Sequence, residues 1–330
     1  MPPDARDLAA LPKAHLHLHL EGGMRPGTLR ELATRNGMPV PEIRGFGNFG
    51  AFAAMYVAAC EVLTSADDVA RLIDETVDDA LAAGAVHVEP GMFLPHHRAR
   101  LGPDEQVLEL VLDALATASA RTGVSTGLMV SADRTRSPEE AVEQARLAAR
   151  YAGRGVVAFG LANDEHGHPP EPFAEAFGIA RAAGLLSTPH AGELDGPASV
   201  RGALEVLGAD RILHGVRAVE DPALVQQLAQ SEVCLDVCPT SNVLLSVVDD
   251  LAAHPLPALL DAGVRCSLNA DDPLLFGPGL LEEYALCRDI LGLSDAQLAA
   301  VASTSLTASG ASPEVVANGL SGVDAWLAAV

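Results

Sequence analysis

The stretch Lys13-Ala14-His15-Leu16-His17-Leu18-His19-Leu20-Glu21-Gly22 alternates imidazole and leucine side chains. A period of two is the signature of a β-strand, so His15, His17 and His19 are expected on one face and the leucines on the other. A row of imidazoles turned towards an apolar interior is costly unless each ring finds a partner. A metal ion is the natural partner, because neutral imidazole suits zinc. An acidic-glycine pair ends the run, as at the mouth of a strand that feeds a site.

Working outward from this strand, seven more short apolar or β-branched runs follow, at 85–93, 124–130, 155–162, 185–190, 211–214, 233–238 and 264–269. Ala/Leu-rich helical patterns such as 66–83 and 138–152 separate many of them, and turns such as Ala83-Gly84 and Ala183-Gly184 precede several. Strands alternating with helices predict an α/β fold, a (β/α)8 TIM-type barrel with a helical insertion after strand 1. An open doubly wound sheet is the alternative; the lack of a Gly-rich phosphate turn after the first strand disfavours it. The insertion spans about 21–84, and its segment Gly45 to Leu63 carries Phe46, Phe49 and Phe52. That segment reads either as a core-packing helix or as a flap over the barrel mouth, where sites of this fold lie. No repeat or low-complexity linker interrupts the chain, which predicts one domain over 1–330.

Composition excludes several functions. A formal net charge of −23 disfavours nucleic acid, which needs a basic footprint. No apolar run is long enough to span a bilayer, so no membrane association is expected. Residues Met1 to Ala10 contain Asp4, Arg6 and Asp7 and lack the apolar core of a secretory signal. The five cysteines are scattered without paired spacing, pointing to buried thiols in a reducing, cytoplasmic setting. Cys234 and Cys238 are read the same way, since no adjoining histidine could activate them. His96-His97 and His166-Gly167-His168 sit in Pro/Gly loops and are read as surface histidines. The sequence sets no oligomeric state.

Three further strand ends carry polar groups: His190-Ala191-Gly192-Glu193 after strand 5, His214-Gly215 after strand 6, and Asn269-Ala270-Asp271-Asp272-Pro273 after strand 8. With His17 and His19 of strand 1, they converge on one pocket in a barrel. Three histidines and an aspartate can hold a zinc ion and leave a position open for water.

In combination and in order, HxHxEG, HAGE, the His-Gly after strand 6, CPTSN (Cys238 to Asn242) and SLNADDP (Ser267 to Pro273) resemble the adenosine deaminase family of the amidohydrolases. The resemblance implies one zinc per chain, held by His17, His19, His190 and Asp271. It implies Glu193 as proton donor to the purine ring and His214 as the residue that orients and deprotonates the attacking water. Asp272 matches the carboxylate that bonds purine N7, and Glu21 an acidic residue that reaches the sugar side. The only lysine, Lys13, opens strand 1, so the carboxylated lysine that bridges two metals in binuclear amidohydrolases has no counterpart. The H-x-E and P-C-x-x-C signature of cytidine-type zinc deaminases is also missing.

Two departures bear on the substrate. Where the family commonly reads L-A-G-D-E, this chain has Leu161-Ala162-Asn163-Asp164-Glu165, which puts Asn163 beside the base. Strand 2 reads His87-Val88-Glu89-Pro90-Gly91 and lacks the arginine typical of adenosine-specific members. The resemblance therefore implies hydrolytic deamination of a small-molecule 6-aminopurine, with a nucleoside expected on the strength of Glu21. Aminodeoxyfutalosine and adenine are the alternatives, and a purine-binding barrel without catalysis is the alternative of another class.

Overall fold

Each of the eight apolar runs forms a parallel strand in the computed structural model, which describes residues 6–43, 46 and 48–329. They are β1 (Lys13–His19), β2 (Ala85–Met92), β3 (Ser125–Thr126 and Leu128–Asp133), β4 (Val156–Ala162), β5 (Leu186–Ala191), β6 (Arg211–His214), β7 (Cys234–Val237) and β8 (Arg265–Leu268). Each pairs in parallel with its neighbours in sequence. β3 is broken at Gly127, where a Cβ would fall 2.6 Å from Val157 Cγ2. It also runs three residues past its expected end, because Ser131, Ala132 and Asp133 pair with Gly160, Leu161 and Ala162 of β4.

The ring closes between β8 and β1 without a regular ladder. Asn269 Oδ1 accepts from the N–H groups of Leu16 (2.7 Å) and His17 (3.0 Å), doing the work of a strand carbonyl. Two residues on, the backbone of Asp271 completes the seam: His19 N–H donates to its carbonyl at 3.0 Å, and its own N–H donates to His17 O at 3.1 Å. The result is a nearly closed eight-stranded barrel jacketed by helices, as expected from the strand–helix alternation.

Two expectations need correction. The insertion is shorter than 21–84: α1 (Pro26–Arg35) and α2 (Phe49–Glu61) are extra, but α3 (Ala66–Ala82) is the ordinary helix between β1 and β2 and packs against β2. A capping box of Ser65 and Asp68 starts α3, and Val69, Leu72, Ile73, Val77 and Ala80 form its buried face. Gly45 and Gly47, part of the anticipated flap segment, lie outside the described residues. His15 is the second correction. Pairing of β1 with β2 is irregular between His15 and Leu18, and both residues border the same cavity, away from His17 and His19. Strict alternation would have put His15 and Leu18 on opposite faces; the irregularity removes His15 from the imidazole row.

Leu16, Leu18 and Leu20 are buried in the main hydrophobic core. Polar groups deep in the barrel are paired. The fully buried guanidinium of Arg211 meets Glu89 at 2.7 Å and Asp236 at 2.9 Å, and Ser267 Oγ donates to Asp236 at 2.7 Å. Lys13 donates to the carbonyls of Leu8 (2.8 Å) and Ala83 (2.6 Å), at the end of β1 remote from His19. Among the described residues no single helix is long and apolar enough to cross a membrane. All five cysteines are free and buried.

Arg211→Met leaves two carboxylates buried against each other, so it is expected to cost about 3–5 kcal/mol of unfolding free energy. Urea titration followed by circular dichroism checks this, and a variant within about 1 kcal/mol of native, the scale of a weak ion pair, contradicts it.

Candidate active site

The C-terminal ends of β1, β5, β6 and β8 deliver His17, His19, His190, His214 and Asp271 to one point. His17 Nε2 and His19 Nε2 each lie 3.3 Å from Asp271 Oδ1, and His19 Nε2 is 3.3 Å from His190 Nε2. His214 Nε2 faces the same carboxylate, 3.7 Å from Oδ2. Two of these ring orientations are fixed from behind. His17 Nδ1 donates to Asp236 O at 3.0 Å and His190 Nδ1 to Leu161 O at 2.9 Å. A carbonyl only accepts, so each Nδ1 carries the proton and each Nε2 presents a lone pair. His17 Nε2 is buried without a hydrogen-bond partner.

Lone pairs from several imidazoles and a carboxylate oxygen, with one nitrogen orphaned, form a donor set that a divalent cation satisfies. Ligand atoms of His17, His190, His214 and Asp271 all lie within 4.8 Å of one another, as do those of His19, Asp271 and Asp272. Burial and the neighbouring imidazoles hold His190 well below the usual histidine range. Burial opposes ionisation of Asp271, but His17 and His19 outweigh it and hold the carboxyl well below the usual range. Ser241 Oγ donates to its other oxygen at 2.6 Å.

Two more carboxyls border the cluster in the opposite state. Burial, then the charges of Asp271 and Glu165, push Glu193 well above the usual carboxylate range. Burial and Asp271 do the same to Asp272, whose two oxygens have no partner and whose surface is fully covered. Both surroundings favour the protonated, hydrogen-bond-donating form, and both residues line a cavity of about 110 Å³. Gly22 explains the glycine after Glu21: a Cβ there would sit 1.9 Å from Asp272 Oδ1. The β1 turn must be glycine for Asp272 to occupy its place.

Three non-glycine residues around this mouth, Asn163 (φ 81°), His214 (φ 66°) and Asp271 (φ 58°), adopt left-handed backbone. That conformation costs roughly 1–2 kcal/mol per residue, a strain that collects where side chains must be aimed. Among non-glycine residues asparagine tolerates it best, which suits Asn163 to this turn. Its side chain donates to Asp133 at 3.0 Å and accepts from the N–H of Asp164 at 2.8 Å.

The Adenosine deaminase family model matches residues 12–326. The chain belongs to the adenosine deaminase family. A Streptomyces coelicolor relative with the provisional name adenosine/adenine deaminase is 45% identical over 98% of this chain and 99% of its own. The crystal structure of adenine deaminase from Arthrobacter aurescens superposes with a TM-score of 0.90 at 34% identity, covering 97% of this chain and all of that one. An amidohydrolase from Burkholderia ambifaria with bound Zn superposes with a TM-score of 0.88 at 28% identity, covering 98% and 94%.

For this member of the adenosine deaminase family, the structure moves two sequence expectations. Glu21 does not line the cavity. Its Oε1 lies 2.5 Å from His97 Nε2, and Tyr56 OH donates to its Oε2 at 2.6 Å. Burial works against its charge, but these two partners hold the carboxyl down at about 2. It is an anchor for α2, whose Tyr56 does line the cavity, and each of its oxygens already accepts from a partner. His97 is correspondingly fully buried, not a surface histidine, and His96 lines the cavity 4.8 Å from the Phe93 ring. α2 also leans on the barrel through Phe52, stacked on Phe276 at 5.2 Å.

Three further residues shape the site. Glu165 accepts from the N–H groups of Gly192 (3.0 Å), Glu193 (2.9 Å), Leu194 (2.6 Å) and Asp195 (2.9 Å), and from Ser199 Oγ (2.6 Å). It fixes the turn that carries Glu193. Arg134 lies 3.3 Å from Glu165 and donates to His190 O at 2.9 Å. Ser131 Oγ is buried and unpartnered on the cavity wall. The run Asp164-Glu165 was the available signal for Glu165; nothing local marks Arg134 or Ser131.

His190→Ala removes one of the converging lone pairs and is expected to cut bound divalent metal from near-stoichiometric to a small fraction. Elemental analysis of dialysed protein checks it, and undiminished metal content would remove His190 from the ligand set.

Proposed function

We propose that this chain hydrolyses adenine to hypoxanthine and ammonia, using one zinc ion held by His17, His19, His190 and Asp271. The observation that carries the reading is the pair of buried carboxyls, Glu193 and Asp272, that line the cavity beside a metal-ready His/Asp cluster in surroundings that favour their protonated form. A 6-aminopurine offers ring acceptors N1 and N7 on either side of C6, so two donors flanking the cluster orient C6 towards it. A zinc ion bound there lowers the pKa of water towards neutrality and supplies the nucleophile.

The protein groups account for the rest. Asp272 donates to N7 and holds the ring. Glu193 gives its proton to N1 as the water oxygen bonds to C6, which relieves the charge that loss of aromaticity would put on the ring. The C6–N bond then breaks: the C6 hydroxyl gives its proton to the amino group, which leaves as ammonia with the C–N electron pair as C6=O forms, and the proton that the water lost on becoming hydroxide restores Glu193. His214, 3.4 Å from Glu193 Oε1, is aimed at the attacking oxygen. A barrel that only bound purines would have no use for a caged general acid, and Glu165 spends a buried carboxylate on caging Glu193.

The free base is preferred here over the nucleoside, because the ground for a sugar contact has gone. Glu21 is engaged by His97 and Tyr56, and Phe49, Phe52, Val57, Phe93 and Leu245 line much of the cavity. Asp133 and Asn163 bond each other. Against this apolar lining, sugar hydroxyls would be desolvated with mainly Ser131 and His96 left to partner them. The name of the Arthrobacter aurescens neighbour supports the same substrate. A nucleoside with an apolar 5′ substituent is the second reading, favoured by the aromatic face of α2.

Ammonia release measured with adenine, adenosine, 2′-deoxyadenosine and aminodeoxyfutalosine tests the proposal; adenine is expected to give the highest kcat/KM, and a tenfold preference for any nucleoside overturns it. Glu21→Ala is expected to lower kcat/KM by a similar factor on base and nucleoside alike, since it loosens α2. A loss confined to nucleosides would restore the sugar contact.

Glu193→Gln keeps its metal and is expected to lose ~10²–10⁴-fold in kcat. Because Glu193 works in its protonated form, native activity is expected to fall as pH rises through its elevated pKa. A pH–rate profile checks the sign, and a rate that keeps climbing into the alkaline range speaks against Glu193 as the acid.

A further inference from the structure

His214 is backed by a buried chain of hydrogen bonds that ends on a backbone amide. The N–H of Leu256, which can only donate, points at His254 Nδ1 at 3.1 Å. His254 Nδ1 must therefore hold a lone pair, and in the neutral ring the proton is on Nε2. His254 Nε2 lies 3.1 Å from Asn242 Oδ1, which accepts that proton and fixes the amide's orientation. Asn242 Nδ2, now a donor, lies 3.1 Å from His214 Nδ1. His214 Nδ1 must accept, so its proton sits on Nε2. His254, Asn242 and His214 are buried, which keeps water from supplying substitute partners.

We propose that His254 and Asn242 are positioning residues that lock His214 in its Nε2–H tautomer, so that His214 meets the attacking oxygen as a hydrogen-bond donor and not as the base that takes its proton. The inference rests on the reading that His214 faces the attacking oxygen. It contrasts His214 with His17 and His190, whose Nδ1 atoms donate to carbonyls and leave Nε2 a lone pair. Opposite hydrogen-bond partners at Nδ1 thus divide the histidines of one cluster between holding a cation and donating a proton bond. A donor placed where negative charge gathers on the entering oxygen stabilises it without reorganisation. A neutral ring already protonated on Nε2 has no lone pair there to act as a base. The left-handed backbone of His214 (φ 66°) turns the ring so that Nδ1 reaches Asn242 while Nε2 faces Glu193 and Asp271.

The test is ¹⁵N NMR of histidine-labelled, zinc-loaded protein, with the His214 signals assigned by their loss in His214→Asn. The native protein is expected to show a pyridine-like Nδ1 and a pyrrole-like Nε2 at His214. Asn242→Asp offers an acceptor to Nδ1 and is expected to invert the pattern. His254→Leu frees the amide to turn and is expected to mix the two tautomers and lower kcat about 10–100-fold, with KM changed far less. His254→Gln, whose amide N–H reaches Asn242 Oδ1, is expected to restore the native pattern and most of the lost rate. A pyrrole-like Nδ1 at His214 in the native protein overturns the proposal, as does an unchanged pattern in both Asn242→Asp and His254→Leu. The tautomer is read without turnover. Protein inactive on adenine but carrying Nε2–H on His214 therefore sinks the function and leaves the relay standing.

Discussion

Asp271 closes the barrel and anchors the site with the same few atoms. Its backbone exchanges hydrogen bonds with His17 and His19 across the β8–β1 seam, and its carboxylate meets the Nε2 atoms of those two histidines. The seam has no regular ladder to hold it, so Asn269 and Asp271 carry it. Any slip between first and last strands would move ligands from both sides of the cluster at once. Barrel closure and cluster geometry are one constraint, and the left-handed backbone of Asp271 is the strain that constraint imposes.

Around this seam the buried charges divide by depth. Deep in the barrel, Arg211 neutralises Glu89 and Asp236, and the network has no free valence to offer a ligand. At the mouth no guanidinium bonds Glu193 or Asp272; burial and the charge of Asp271 push both carboxyls up, with Arg134 only partly opposing the shift at Glu193. Identical side-chain chemistry therefore serves structure in one layer and proton donation in the other. What differs is that Arg211 bonds the deep carboxylates directly, whereas no guanidinium bonds the two at the mouth. Glu165 lies between these cases: it takes four backbone N–H groups of one turn and thereby determines where Glu193 stands.

Much of this was legible in the chain. All eight strands fall where short apolar runs between helical patterns put them, because a buried parallel strand must be apolar over a short length. His17, His19, His190, His214, Asp271 and Asp272 converge because the fold brings strand ends together, and polar groups at those ends stand out against apolar strands. The misreadings have a common origin. Glu21 and His97 are far apart in sequence, and nothing local to either marks the contact between them. His15 obeyed the alternation on paper, but a local irregularity in pairing moved it off the row. Arg134 and His254 act on residues remote in sequence and have no periodic or motif signature, and the Asp164-Glu165 run does not itself point to the distant turn that Glu165 holds.

The sequence by itself determined which side chains are presented at strand ends, since strand period and the direction of the βα units follow from local patterning. Only the tertiary structure decided what each polar group does there. A carboxylate becomes an anchor, a ligand or an acid, and an imidazole a lone pair or a donor, according to partners that arrive from distant parts of the chain. Proton positions are set by hydrogen-bond partners and by burial, and neither exists until the barrel has closed.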